Sequence, residues 1–135
     1  MDSSVAVLAA GLLVFVSAAV QHANTVTANG LAFVFTDRAQ PTSREGFPGR
    51  AERTLRNNIE SFAMVAPPAL LLALSGQGGG LAGLLTIAYV GLRIGFTLSY
   101  WAGIHRARSA FWGFGMGAIA VFYGLAAWDL SGFGN

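Results

Sequence analysis

The chain has 135 residues, of which 54% are hydrophobic and only 10% are charged, and its mean hydropathy is +0.57. A soluble domain carries roughly 25% charged residues, so this composition excludes an ordinary water-soluble domain and indicates one polytopic membrane domain. All eight basic residues are arginines without the long basic stripe of a nucleic-acid-binding protein, and the lack of cysteine excludes disulfides, thiolate metal sites and a cysteine nucleophile.

The first predicted span covers about residues 5–26. Its first part is uniformly apolar, and a helix needs about 20 residues to cross the hydrocarbon core. We interpret it as a membrane span and not as a cleaved signal peptide, because Asp2 is acidic and helix-compatible sequence continues past Ala18 and Ala19. A polar, cytoplasmic loop is predicted at about residues 29–49.

The second predicted span covers about residues 54–74, which is roughly 31 Å of helix. Asn57 and Glu60 fall within its first two turns, so they are expected inside the span and not in a solvated loop. Pro67 and Pro68 are expected to kink the helix, because a proline ring crowds the preceding turn and lacks a backbone donor.

The third and fourth spans are predicted at about residues 81–104 and 110–128. Arg93 lies in the middle of the third span, where a charge costs at least about 2.5–3.5 kcal/mol on insertion scales. We therefore expect Arg93 to face protein and to have a partner. Glu60 is the candidate partner, from the same subunit or from a neighbour, because it is the only acid within a span. The chain is thus predicted to be an all-α bundle of four transmembrane helices.

Tyrosines flank Arg93 on the third span. Tyr89 and Tyr100 lie four residues before it and seven residues after it, which places all three side chains on one helical face. Such a stripe is typical of a binding surface, although Tyr100, next to Trp101, is also a candidate for an interfacial aromatic anchor.

Arginines outside the spans concentrate at two junctions, before the second span and between the third and fourth. The ends of the chain and the glycine-rich turn after residue 74 carry none. The positive-inside rule then places both termini on the non-cytoplasmic side and both junctions in the cytoplasm, so that the two polar clusters share one side of the membrane. These arginines are Arg38, Arg44, Arg50, Arg53, Arg56, Arg106 and Arg108.

The stretch from Arg50 to Glu60 is the main candidate for a binding site. Arginine forks bind carboxylates with two prongs, and Asn57 and Glu60 can hydrogen-bond amide or ammonium groups, so the set suits a small zwitterionic peptide. Arg106 and Arg108 lie at a helix start, where a cation can hold a ligand thiol as its reactive thiolate. The alternative reading, in which arginines only orient the spans, does not explain Asn57 and Glu60. The isolated histidines predict no metal site.

These residues resemble the MAPEG family, the membrane-associated proteins in eicosanoid and glutathione metabolism, and in particular its bacterial members. The likeness covers nearly the whole chain, including its length and its four spans. The motifs that carry it are Arg50-x-x-Arg53-x-x-Arg56-Asn57-x-x-Glu60, then Arg93 followed seven residues later by Tyr100, then Arg108-Ser109.

The resemblance implies a homotrimer in the bacterial inner membrane, with glutathione as co-substrate bound between subunits near the cytoplasmic side. It implies a glutathione transferase or peroxidase that acts on a lipophilic electrophile or a lipid hydroperoxide arriving from the membrane lipids. Arg108 would be the catalytic, thiolate-stabilising residue, with Arg106 as a rival. The positions implied to bind glutathione are Arg38, Arg53, Arg56, Asn57, Glu60, Arg93, Tyr100 and Ser109.

Two other functions fit a membrane chain of this kind. A non-catalytic lipid-binding or scaffold protein of the same family would use the same cleft without turnover. A small transporter or channel subunit would use the buried Arg93, but the polar residues gather toward one side and do not line a full path across the membrane.

Overall fold

The computed structural model describes residues 1–37 and 44–132, and within them the chain is helical without any strand. Four long helices form a bundle, and a four-residue helix follows the first of them. The helices are α1 Ser4–Asn29, α2 Leu31–Val34, α3 Gly46–Leu74, α4 Gly80–Ala102 and α5 His105–Leu130. The predicted all-α, four-helix architecture is therefore confirmed for the described residues.

Three of the long helices, α1, α4 and α5, are long and apolar enough to cross a membrane. The fourth, α3, has 29 residues and carries arginines and acids along its first half. It packs most closely against α1, while α4 packs most closely against α5. The helix with the most charge thus packs against the three apolar helices, which lets part of its polar surface face protein instead of lipid.

Helix α3 begins at Gly46, earlier than the predicted start near Thr54, so the predicted loop at 29–49 is partly helical. Pro48 is compatible with this start because the first backbone N–H groups of a helix have no partner within the helix. The helix also continues through Pro67 and Pro68. The arginine-rich stretch is therefore part of one continuous helix with the predicted second span.

The interior of the bundle is built mostly from small residues and a few aromatic rings. Tyr89 and Phe122 are fully buried and meet edge to face, with ring centroids 6.3 Å apart. On the outside, large apolar side chains are exposed, among them Phe15 at 70%, Leu84 at 66% and Phe114 at 69%. So much exposed apolar surface is stable in hydrocarbon and not in water.

One end of the bundle is closed by backbone contacts, and we call it the glycine end. The Ser3 N–H donates to the Gly78 carbonyl at 2.9 Å, and the Ser3 hydroxyl donates to the Ala69 carbonyl at 2.8 Å. Hydrogen bonding to Ser4 lowers the pKa of Asp2 below its ordinary value as α1 begins. The start of α1 is thereby fixed to the α3–α4 turn.

Candidate functional site

The opposite end of the bundle is joined by arginine side chains, and we call it the arginine end. The Arg50 Nε donates to the Trp101 carbonyl at 3.1 Å, and the Arg53 Nε donates to the Tyr100 hydroxyl at 3.2 Å. The Arg108 guanidinium lies over the Tyr100 ring, 4.9 Å from its centroid. The two arginine-bearing junctions therefore meet at one end of the bundle, as predicted for two junctions with two spans between them.

A cavity of about 260 Å³ lies at the arginine end, between α3, α4 and the start of α5. It combines one cation with aromatic rings and hydrogen-bonding groups, as expected for a pocket that takes an anion with apolar parts. Four of its lining residues are among the predicted site positions. The lining residues are Asn57, Phe96, Tyr100, Arg108, Ser109 and Trp112.

Three side chains that line this cavity, Tyr100, Asn57 and Ser109, each accept a hydrogen bond from an arginine. The hydroxyl of Tyr100 accepts from Arg53, as described above. The Arg108 Nη2 donates to the Ser109 hydroxyl at 3.4 Å, and the Arg93 Nη2 donates to the Asn57 Oδ1 at 3.0 Å. Arginine therefore orients the three hydroxyl- or amide-bearing side chains that line the cavity.

Arg93 is 3% exposed, and its partner is not Glu60 within the subunit. Its Nη2 donates to the side-chain oxygens of Asn57 and Asn58 and to the Asn57 carbonyl at 3.4 Å, while the guanidinium lies 4.4 Å from the centroid of the Phe96 ring. The expected Arg93–Glu60 pair is wrong for one subunit. The side-chain oxygens of Asn57 and Asn58 take the hydrogen bonds of Arg93, and Glu60, further along α3, is exposed.

Asn58 links three helices beneath the cavity. Its side-chain amide is 2% exposed and donates to the hydroxyls of Ser17 on α1, at 2.8 Å, and Thr97 on α4, at 3.1 Å. Its oxygen accepts from Arg93. All the hydrogen-bonding capacity of this amide nitrogen is therefore used inside the bundle, as is required of a buried polar group in a membrane protein.

Arg56 and Glu60 lie on the outer face of α3. The side chain of Arg56 is 67% exposed and pairs with Glu52 at 3.5 Å. Glu60 is exposed and has no hydrogen bond or ion pair within residues 1–37 and 44–132. The structure thus divides the predicted α3 set: Asn57 lines the cavity and Arg53 bonds to the Tyr100 hydroxyl, whereas Arg56 and Glu60 are exposed and are not part of the lining. Arg38 lies outside the described residues.

The remaining predicted residues lie on helix α4 and at the start of α5. Tyr89 is buried, shares a hydrogen bond of 2.9 Å with Ser61, and does not line the cavity, whereas Tyr100 does. Arg106 is exposed and lies outside the cavity lining, whereas Arg108 is part of it. The geometry therefore favours Arg108 over Arg106 as the cation that faces a bound ligand.

The sequence-based set omitted Asn58, Phe96, Thr97 and Trp112. A signal for Asn58 was present, because Thr54, Asn58 and Ser61 follow one another at helical spacing and all three are buried. A stripe of small polar residues within an apolar helix indicates a face turned toward protein. Phe96 and Trp112 carried no such signal, since aromatic residues occur throughout the spans.

A larger cavity, of about 370 Å³, lies at the glycine end, and Asp129 is the charged residue in its lining. It has no cation to attract an anionic ligand. Among the described residues, no three His, Cys, Asp or Glu side chains are close enough to hold a metal ion. The cationic chemistry of the described chain is therefore concentrated in the cavity at the arginine end.

The fold and this cavity define an integral membrane protein, a helical bundle with a cationic pocket at one end. A family model described as the MAPEG family matches residues 3–128, so the chain belongs to this family of glutathione and eicosanoid metabolism. No curated protein and no solved structure gave a match.

Proposed function

We propose that this protein is a membrane-bound glutathione transferase with peroxidase-like capacity. The observation that carries the proposal is the cavity at the arginine end. There, Arg108 comes together with Tyr100, Asn57 and Ser109, four positions that the family resemblance implies for glutathione binding and activation. Family membership supports the same chemistry, because the family includes glutathione transferases and peroxidases.

The chemistry follows from a thiolate held near a guanidinium. A nearby cation favours the charged form of a thiol, so Arg108 lowers the free energy of the glutathione thiolate and of the charge in the transition state. The sulfur attacks an electrophilic carbon, a C–S bond forms, and the leaving group departs with its electron pair. With a lipid hydroperoxide, two glutathione thiols are oxidised to the disulfide while the hydroperoxide is reduced to an alcohol and water.

A homotrimer is part of the proposal, with glutathione between neighbouring subunits. An acid exposed on a helix at membrane depth is costly unless protein covers it, and Glu60 is exposed in one subunit. A second copy of the chain packed on this face would shield Glu60 and would bring Arg56 and Glu60 to the edge of its neighbour's cavity. We place the arginine end in the cytoplasm, by the positive-inside rule, with the lipophilic substrate entering from the membrane lipids.

The test is a calorimetric titration of the purified protein, in detergent micelles, with glutathione, followed by an assay of conjugation to chlorodinitrobenzene. Saturable binding and turnover are expected. Lack of binding at millimolar glutathione contradicts the proposal and favours a non-catalytic lipid-binding or scaffold protein of the same family. Binding without turnover of either chlorodinitrobenzene or cumene hydroperoxide contradicts the catalytic part alone.

A further inference from the structure

Three neutral side chains in the cavity each accept a hydrogen bond from a different arginine. When the oxygen of a hydroxyl or amide group accepts a hydrogen bond from a cation, the protons of the same group remain available to donate to a ligand. The hydroxyl hydrogens of the tyrosine and serine and the amide hydrogens of the asparagine are therefore the groups that a ligand meets. The pairs are Arg53 with Tyr100, Arg93 with Asn57, and Arg108 with Ser109.

The orientation of Asn57 depends on a residue that does not line the cavity. Asn57 can present either its oxygen or its NH₂ group to a ligand, and Arg93 takes the oxygen. Arg93 is buried and is itself held by the Asn58 oxygen and the Phe96 ring. Without Asn58, the Arg93 guanidinium would keep its hydrogen bonds to Asn57 and lose the one to Asn58. The guanidinium could then rotate about its contact with Asn57.

The amide of Asn58 cannot turn around without loss of its hydrogen bond from Arg93. Its nitrogen donates to Ser17 and to Thr97, which lie on two different helices. A reversed amide would place its NH₂ group against the Arg93 guanidinium, where both are donors. The guanidinium of Arg93 can only donate, whereas the two hydroxyls can donate or accept, so Arg93 determines that the oxygen of Asn58 faces it.

We propose that Asn58 is a positioning residue for glutathione, acting through Arg93 to turn the N–H groups of Asn57 into the cavity. The inference rests on the proposed function and deepens it. Asn57 then donates a hydrogen bond to an acceptor of glutathione, a carboxylate or peptide carbonyl oxygen. It does not bind the ammonium group of glutathione. Arg93 contributes through Asn57, without touching the ligand.

The experiment measures the Kd for glutathione by calorimetry, and KM and kcat by the conjugation assay, in variants of the full chain. Asn58→Leu removes the Asn58 oxygen that accepts a hydrogen bond from Arg93. We expect Kd and KM for glutathione to rise about tenfold while kcat changes less than about threefold, because one hydrogen bond from Asn57 to the ligand is weakened. Asn58→Asp keeps an acceptor for Arg93 and can accept from both hydroxyls, so its Kd is expected within about threefold of wild type.

Ser61→Ala is the matched control. Ser61 is as buried as Asn58, lies one turn further along α3, and also hydrogen-bonds to α4, through Tyr89. It makes no contact with Arg93, so the variant is expected to lower thermal stability like Asn58→Leu and to keep the wild-type Kd. Equal weakening of glutathione binding by both variants overturns the proposal, because the effect is then one of bundle stability alone.

A folded Asn58→Leu variant with wild-type Kd also overturns the proposal. If this variant does not fold, Asn57→Asp decides instead, because a carboxylate at that position offers acceptors only and can pair with Arg93. Its Kd is expected to rise at least about tenfold, and a wild-type Kd contradicts the donor role of Asn57. Wild-type protein that binds no glutathione contradicts the proposed function itself, before any variant is compared.

Discussion

The two ends of this bundle are closed by different kinds of contact. At the glycine end, backbone atoms meet: Ser3 bonds to Gly78, and the Met1 carbonyl lies against Gly83 with no room for a Cβ atom. At the arginine end, the tips of long side chains meet around a cavity, as Arg53 and Tyr100 do. Side-chain tips can rearrange around a ligand, whereas packed backbones cannot. Changes at the arginine end should therefore alter binding, and changes at the glycine end should alter stability.

The largest expected effect is at Arg108. Arg108→Ala removes the cation that faces the cavity, so kcat/KM for glutathione conjugation is expected to fall about 100-fold. Stability should change by less than about 1 kcal/mol, because Arg108 is only partly buried. The comparison is Arg106→Ala, measured by the same steady-state assay. A larger loss of kcat/KM with Arg106→Ala than with Arg108→Ala would assign the catalytic role to Arg106.

The glycine end is tested by Gly78→Ala. A Cβ there would lie 2.7 Å from the Ser3 Oγ and 3.0 Å from the Ala73 Cα, and would also meet the Asp2 carboxylate. We expect the free energy of unfolding to fall by about 1–3 kcal/mol, with an unchanged Kd for glutathione. Gly79→Ala is the control, since its Cβ would meet no atom within 4 Å. Thermal unfolding in micelles gives the readout, and equal stability of the two variants would contradict the close packing around Gly78.

A smaller effect on binding is expected from Tyr100→Phe. The change removes the hydroxyl that accepts from Arg53 and keeps the ring that packs on Arg108 and Phe96. Loss of one hydrogen bond should raise the Kd for glutathione about 3–10-fold. Tyr123→Phe, an exposed position on α5, should leave the Kd as it is. A similar Kd in wild type and Tyr100→Phe would exclude the hydroxyl from the ligand contact.

The smallest effect is expected at the exposed pair of Glu52 and Arg56. Their distance is 3.5 Å and Arg56 is 67% exposed, so Glu52→Gln should change the free energy of unfolding by less than about 0.5 kcal/mol. Chemical unfolding at low and high salt measures it. A loss above about 1 kcal/mol would show that this pair is buried by a neighbouring subunit in the assembled protein.

Much of the fold could be predicted, because length and hydropathy dictate which segments cross a bilayer. The start of α3 at Gly46 was missed, since the segment before Thr54 is polar and hydropathy does not distinguish a polar helix from a loop. The site was predicted in part. Residue type and spacing brought out Asn57, Tyr100 and Arg108, which do line one cavity. The pairing of Arg93 with Glu60 is wrong within one subunit, because depth along two helices does not decide which of their side chains meet.

The sequence by itself determined that this chain is a four-helix membrane protein with its arginines at one end, because few charges and long apolar segments allow little else in a bilayer. Only the tertiary structure decided which polar residues meet. Contact depends on how each helix is rotated and packed, which brings Asn58 to Arg93, Ser17 and Thr97 and turns Glu60 outward. Asn58, which the sequence-based set omitted, thereby links three helices beneath the cavity.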